Sequence, residues 1–351
     1  MKRVIVKKLW AIGVLAFGLA GLSIGALGGE EDAGDREAGY REAGPEEVKS
    51  FLAEWQDGER GREVPVKVYY PGGDEGRHPV IVLSHGLGGS REGYGFLGEH
   101  WASHGYVVVH LQHVGSDDSV WKNVAAGQRG MAMKKAASYE SSVNRHDDVH
   151  FVLDKLERLD EGDGVLGGRL DMGKVGMTGH SFGARTTLAI GGQVFPTVGG
   201  EALSTVDGRV VAAIPMSPMP PKLESQHDAA FAKIAIPMMH LTGTLDRSGI
   251  DPDREPEERQ IPYEKIRAGE QYLIVFDGGD HMIFSGRERR ARDGATGSLE
   301  QDRIFHELIA MATVAFWDGY LRGDDGVVEW LKDGDGLAGA LGDEVSRFEG
   351  K

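Results

Sequence analysis

Cysteine is absent from the 351 residues. That excludes disulfides, a thiolate nucleophile, cysteine-ligated zinc, iron–sulfur clusters and a lipid anchor built on a lipobox cysteine. Positive charge is scarce. Against 39 Lys and Arg stand 55 Asp and Glu, a formal net charge of −16. So acidic a surface repels phosphate backbones and anionic headgroups, which argues against nucleic acid as a partner and against peripheral docking on anionic lipid. Aromatic residues are few, at 8%, but hydrophobic residues reach 40%, enough for a core and too many for wholesale disorder. A long uncharged apolar run occurs at the amino terminus, where Lys2, Arg3, Lys7 and Lys8 precede the 19 uncharged residues from Leu9 to Leu27. Ala26-Leu27-Gly28 offers a small-x-small cleavage site. Residues 1–28 are therefore expected to be a signal peptide, or an uncleaved anchor, since the run nearly reaches the ~20 residues that span a bilayer. Either way the chain is expected to be exported, periplasmic or secreted, and to meet a membrane only through this segment if it is uncleaved. Residues 29–49 are Gly, Ala and acid with one aromatic, Tyr40, and are expected to be a disordered acidic linker.

What remains is rich in short apolar segments. Residues 63–70 (EVPVKVYY) alternate, with Val64, Val66, Val68 and Tyr70 on one face, as in a half-buried strand. Residues 79–84 (PVIVLS) and 106–111 (YVVVHL) are continuous apolar runs, as in strands covered on both faces. Further strands are expected at 174–178, 210–216, 237–241 and 271–276. Helices are expected at 96–103, within 117–160, at 182–190 and from a capping box at Ser298 and Gln301 onward. Val149, Val152, Leu153 and Leu156 fall on one helical face. Strand alternating with helix from about residue 79 to 320 predicts a mostly parallel central sheet with helices on both faces.

The strongest local signal is Gly179-His180-Ser181-Phe182-Gly183, a G-x-S-x-G between an expected strand and an expected helix. Such an elbow throws the serine onto a strained turn above the sheet, and both glycines must be small for the turn to close. Serine needs a general base. Asp246 and His281 each lie just past an expected strand end, in the order Ser, acid, His, so His281 would take the Ser181 proton and Asp246 would fix its tautomer. Asp280, Asp251 and Asp253 are the rival acids. His85-Gly86-Leu87-Gly88-Gly89 follows the buried strand at 79–84. There the Leu87 N–H, together with the Phe182 N–H, would receive the oxygen of a tetrahedral intermediate, with Gly86 and Gly88 shaping the loop. No cofactor and no metal is needed for such chemistry.

On these residues the chain resembles the α/β-hydrolases. The HGLGG and GHSFG pair is similar to that of the platelet-activating-factor acetylhydrolases and dienelactone-hydrolase-like esterases, with polyester hydrolases and chlorophyllase-like proteins as neighbours. The resemblance covers roughly residues 50–320. It implies an α/β-hydrolase catalytic domain over 50–322, with no large cap, followed by a helical or turn-rich extension over 323–351. It also implies hydrolysis of a carboxylic ester through an acyl-Ser181 intermediate, the ester belonging to a small molecule, a lipid or a polymer. The short segments 191–208 and 218–233 between Ser181 and Asp246 predict a shallow pocket and an acyl chain of short to medium length. The mammalian acetylhydrolases place their acid directly after the strand that follows the nucleophile helix. Residues 213–217 (AIPMS) hold none, so the role falls to Asp246. A serine peptidase or amidase, and a non-catalytic tethered binding module, are the alternative readings.

Weaker signals remain. His146 and His150 sit at a metal-ligand spacing on one helix, but solvated charges and an Arg145–Asp148 pair explain the segment as well. His110 and His113, with Asp117 and Asp118, follow a strand end and are candidates to line the pocket. His180 is expected to be buried and structural. Trp121 and Phe182 are candidate pocket walls or core residues. Residues 218–233 are a small lid or a plain connection.

Overall fold

The computed structural model describes residues 33–73, 76–196, 202–251, 253–287 and 298–351, within a unit that runs from Ala33 to Lys351. The expected export segment, residues 1–28, lies outside the described residues. Among them, no helix is long and apolar enough to cross a membrane.

In chain order, Ala33–Arg41 (α1) precedes the hairpin of Val48–Asp57 (β1) and Arg62–Pro71 (β2), then His78–Ser84 (β3), Gly95–Ser103 (α2) and Val107–Leu111 (β4). Ser119–Lys122 (α3), Arg129–Ala136 (α4) and the long Tyr139–Asp160 (α5) lead to Leu170–His180 (β5) and Phe182–Ile190 (α6). Val194–Pro196 (β6) and Ala202–Ser204 (β7) form a separate two-stranded ribbon. Val210–Met216 (β8), His227–Phe231 (α7), Met238–Leu245 (β9), Ile261–Lys265 (α8) and Gln271–Asp280 (β10) follow. Leu299–Trp317 (α9), Asp325–Lys332 (α10), Leu337–Leu341 (α11) and Val345–Gly350 (β11) complete the chain.

Among the described residues the main sheet has nine strands in the order β1-β2-β4-β3-β5-β8-β9-β10-β11. The six from β4 to β10 pair in parallel, while β1, β2 and β11 pair antiparallel at the two edges. Period-two alternation sorts the buried strands between two cores. Ile81 and Leu83 of β3 face the side covered by α2 and α9, where Trp101, Phe305 and Trp317 pack. Val80 and Val82 face α5, meeting Val149, Val152, Leu153 and Leu156. This double burial explains the unbroken apolar runs in the sequence. In β2 it also separates Val64, Val66 and Val68 from Tyr69, which is buried on the opposite face, while Tyr70 is half-buried.

Two expected boundaries are corrected. The acidic stretch 29–49 is not a linker where it is described. It forms α1, in which Tyr40 donates to Asp318 Oδ2 at 3.0 Å and packs near Trp330, and it enters β1 at Val48. The stretch 323–351 is not an appendage either, because β11 joins the sheet edge along β10, with Leu273 opposite Glu349. Edge strands are half solvated and carry charge, so β1 (VKSFLAEWQD) and β11 (VSRFEG) show too little apolar pattern to be read as strands.

All the parallel strands point their carboxyl ends to one edge, where α/β sheets bind ligands. In the register of β9 with β10, Leu245 lies opposite Asp280, so the residues that follow, Asp246 and His281, leave adjacent strand ends together.

Candidate active site

Ser181 stands between β5 and α6 with φ 58° and ψ −111°, a conformation costly for a residue with a Cβ. The turn is crowded. A Cβ on Gly179 would lie 2.5 Å from the Gly183 carbonyl oxygen, and one on Gly183 would collide with the Ser84 carbonyl. The elbow is thus closed against the end of β3, and the two glycines of the motif are steric requirements.

The Ser181 Oγ lies 2.9 Å from His281 Nε2, and His281 Nδ1 lies 2.7 Å from Asp246 Oδ1. The tautomer that satisfies both contacts carries its proton on Nδ1, donates it to Asp246, and leaves Nε2 free to accept from Ser181. Asp246 is fully buried, and its second oxygen accepts from Thr242 Oγ1 at 2.9 Å. Burial alone would raise its pKa. The charge and hydrogen bond of His281 and the charge of Arg259 outweigh that, and the carboxyl lies below its ordinary range. Asp280, beside the histidine in sequence, accepts from the Met282 N–H at 2.8 Å. Asp251 pairs with Lys222. Of the acids considered, Asp246 is the one in contact with His281.

Two neighbours of this trio escape the sequence reading. Ser217, the first residue past β8, has φ 60°, and its Oγ is 3.0 Å from both Asp246 Oδ1 and His281 Nδ1. The buried Arg259 guanidinium lies 2.9 Å from Asp246 Oδ1, donates to the Ser217 carbonyl at 2.8 Å, and comes within 3.3 Å of His281 Nδ1. Position past a strand end is a signal for Ser217. Arg259 has none, since it sits in a run of charges (residues 255–259, EPEER) that reads as solvated surface.

A cavity of about 100 Å³ opens beside the serine, lined by Leu87, Ser90, Tyr94, His180, Ser181, His281, Met282 and Arg287 among others. Neither the Leu87 nor the Phe182 N–H donates to another group of the described residues. The loop bearing Leu87 turns at Gly88, whose φ of +70° suits glycine, and a Cβ there would meet Met133 and Trp121. Gly86 N–H donates to Tyr94 Oη at 3.0 Å, and Tyr94 Oη lies 3.0 Å from His180 Nδ1. His180 is buried against the His281 ring, 4.6 Å between centroids. Burial, and then the charge of His281, hold its pKa well below the usual histidine value.

The weaker candidates are placed elsewhere. His146 Nδ1 meets Thr205 Oγ1 and His150 Nδ1 meets Asp207, and among the described residues no group of three or more potential ligands gathers for a metal. His110 is buried next to Tyr69, away from the cavity lining. Asp117 is held by Gln112 and Ser119, and Asp118 pairs with Lys122. Trp121 donates to the Gly88 carbonyl at 2.7 Å instead of walling the cavity. Residues 218–233 carry a turn and the five-residue α7 and do not line it.

His113 belongs to a second Ser-His-Asp trio. Ser84 Oγ is 2.9 Å from His113 Nε2, and His113 Nδ1 is 3.0 Å from Asp148 Oδ2. All three are fully buried. Asp148 also receives Arg62 at 2.7 Å and Arg60 at 2.9 Å, so the expected Arg145–Asp148 pair gives way to these partners.

A family model described as platelet-activating factor acetylhydrolase, isoform II, matches residues 61–125, from β2 through the Leu87 loop and β4. The platelet-activating factor acetylhydrolase of Cavia porcellus is 25% identical over 304 residues, 78% of this chain and 65% of that protein. The acetylhydrolase of Canis lupus familiaris is 27% identical over 142 residues, 32% of this chain and 31% of that protein. The chain thus spans less than two thirds of the length of either relative. By its sheet and strand order the chain has an α/β-hydrolase fold, and its sequence is similar to the platelet-activating factor acetylhydrolases.

Proposed function

We propose that the chain hydrolyses carboxylic esters of short to medium acyl length through an acyl-Ser181 intermediate. The observation that carries this reading is the relay of 2.9 Å and 2.7 Å contacts from Ser181 through His281 to Asp246 at the wall of a cavity. His281 Nε2 takes the Ser181 proton as Oγ attacks the ester carbonyl. The Leu87 and Phe182 N–H groups receive the oxyanion. His281 then returns the proton to the departing alkoxide, and the alcohol leaves. A water, deprotonated by the same nitrogen, attacks the acyl carbon and releases the acid and free Ser181. No cofactor or metal is required.

The relatives' name speaks of an acetyl group, and the small cavity beside Ser181 supports an acyl chain of that order. A shallow site gains ~0.8 kcal/mol per buried methylene and nothing once the chain reaches solvent. A p-nitrophenyl ester series should therefore show kcat/KM rising from acetate to butyrate or hexanoate and then levelling. A preference that climbs through dodecanoate contradicts the short-acyl assignment, and faster cleavage of matched anilides would indicate an amidase. Whether the alcohol belongs to a small molecule, a lipid or a polymer is read by offering each as substrate. The basic, then apolar, amino terminus supports export of the enzyme, which amino-terminal sequencing of protein recovered from outside the cell would test.

A further inference from the structure

Arg145 is a fully buried cation that the reaction described above does not use. It projects from α5 to the end of β3. There Nη1 donates to the His85 carbonyl at 2.6 Å, Nε to Ser116 Oγ at 2.9 Å, and Nη2 makes longer contacts with the carbonyls of Ser116 at 3.4 Å and Gly86 at 3.5 Å. Its guanidinium carbon lies 4.4 Å from the centroid of the Phe182 ring. Among the described residues it forms no ion pair with a carboxylate. Burial pushes its pKa down to about 9, so it remains cationic at neutral pH. A buried charge without a directly paired carboxylate is costly; its direct partners are carbonyls, the Ser116 and Ser84 hydroxyls and a ring, while Asp148 and Asp117 act on it only at longer range.

Two of those partners bear on the unengaged N–H groups. The Gly86 carbonyl belongs to the same peptide plane as the Leu87 N–H. In a trans peptide the C=O and N–H point in opposite directions. Holding the Gly86 oxygen inward therefore turns the Leu87 N–H outward, toward the cavity that Leu87 lines. The His85 Nδ1–H adds a 2.6 Å bond and the Gly89 N–H a 3.0 Å turn bond to that same oxygen, and His85 Nε2 accepts from the His113 N–H at 3.0 Å, which fixes its tautomer. The Phe182 ring, stacked on the cation, ties down the first residue of α6, which carries the other unengaged N–H. Leu87 and Phe182 come from separate loops, and one guanidinium touches the supports of both.

We propose that Arg145 is a positioning residue for the oxyanion site, setting the Leu87 and Phe182 N–H groups at one point through the 85–86 backbone and the Phe182 ring. The proposal rests on the serine-hydrolase reading. It differs from a structural role in its consequence, because loosened donors weaken the transition state more than the ground state.

The test compares Arg145→Met and Arg145→Lys in the full chain, with active sites counted by a fluorophosphonate and folding checked by melting temperature. With p-nitrophenyl acetate, Arg145→Met should lose about 10- to 100-fold in kcat, less than the ~10²–10³ for deleting a donor outright. KM should stay within about threefold. Affinity for a methyl trifluoromethyl ketone, which forms a tetrahedral oxyanion on Ser181, should fall by the same factor as kcat/KM. Arg145→Lys keeps the charge but not the span, and should recover part of the loss. An unchanged kcat per active site, a loss confined to KM, or an undiminished ketone affinity overturns the proposal. If Arg145→Met does not fold, Ser116→Ala removes the acceptor of Nε, and a two- to fivefold loss with the same split is expected. Absence of that split overturns it equally. Ser181→Ala is the separate control: full turnover in that variant would overturn the hydrolase reading itself.

Discussion

Two Ser-His-Asp trios lie among the described residues with nearly the same contacts. In one, Ser181 to His281 is 2.9 Å and His281 to Asp246 is 2.7 Å; in the other, Ser84 to His113 is 2.9 Å and His113 to Asp148 is 3.0 Å. Three differences separate them. Ser181 sits on a strained elbow at the wall of a cavity, whereas Ser84 ends a regular strand and is fully buried. Two unengaged N–H groups flank Ser181, whereas Arg145 Nη1 approaches Ser84 Oγ at 3.4 Å. Asp246 serves His281 with a single arginine beside it, whereas Asp148 is shared between His113, Arg60 and Arg62. The comparison teaches that three side chains in hydrogen-bonded sequence do not make a nucleophile. On the proposed reading, access, a strained turn and free donors make Ser181 the nucleophile, and the trio without them is internal scaffolding beneath the Leu87 loop.

The comparison breaks first at the serines. Ser181→Ala should lower kcat for p-nitrophenyl acetate by ~10⁶-fold, the scale of a lost nucleophile. Ser84→Ala should cost less than about tenfold. Near-equal losses would make the second trio part of the chemistry. The acids come next. Asp246→Asn should lower kcat by ~10⁴-fold through the wrong imidazole tautomer. Asp148→Asn should instead appear in the denaturant midpoint, at about 2–3 kcal/mol, because Arg60 and Arg62 lose a buried partner while retaining some solvent. Asp280→Asn should do little in either assay, and a large kcat loss there would move the acid.

Smaller effects refine the picture. His113 of the buried trio, with His110 and His240, is held neutral, each pushed down to about 4 chiefly by burial. In the unfolded chain these groups titrate near ~6.5. Between those values the unfolded state binds more protons, so stability is fully present above pH ~6.5 and declines as pH falls toward 4. A drop from pH 7 to 6 should remove on the order of 2 kcal/mol, read as a lower melting temperature. A melting temperature that is flat or rises on acidification contradicts neutral burial. Last, Ser217→Ala removes one of several hydrogen bonds to Asp246 and should cost about tenfold in kcat or less, with the melting temperature nearly unchanged.

Much of this was legible in the sequence where neighbours in the chain are neighbours in space. Gly179, Ser181 and Gly183 meet within one turn, so the elbow carries its own context. Asp246 and His281 lie 35 residues apart, yet both follow strand ends, and parallel pairing of β9 with β10 brings such ends together. Buried strands were legible because double burial leaves unbroken apolar runs. The edges β1 and β11 were not, since one face of each is solvated. Arg145 and Arg259 were the least legible. Arg145 is held mostly by backbone carbonyls, which have no side-chain signature, and Arg259 pairs with Asp246 from inside a run of charges that reads as surface. Arg145 stands three residues from Asp148 on a helix, the spacing of an ordinary surface pair, and only the packing of α5 against β3 sends the two side chains to different partners.

The most direct measurement of the central claim is labelling of the folded, full-length chain with a fluorophosphonate, followed by peptide mapping of the modified serine. The account predicts one equivalent on Ser181, none on Ser84, and none anywhere in Ser181→Ala. Label on Ser84, or label that persists in Ser181→Ala, would contradict it.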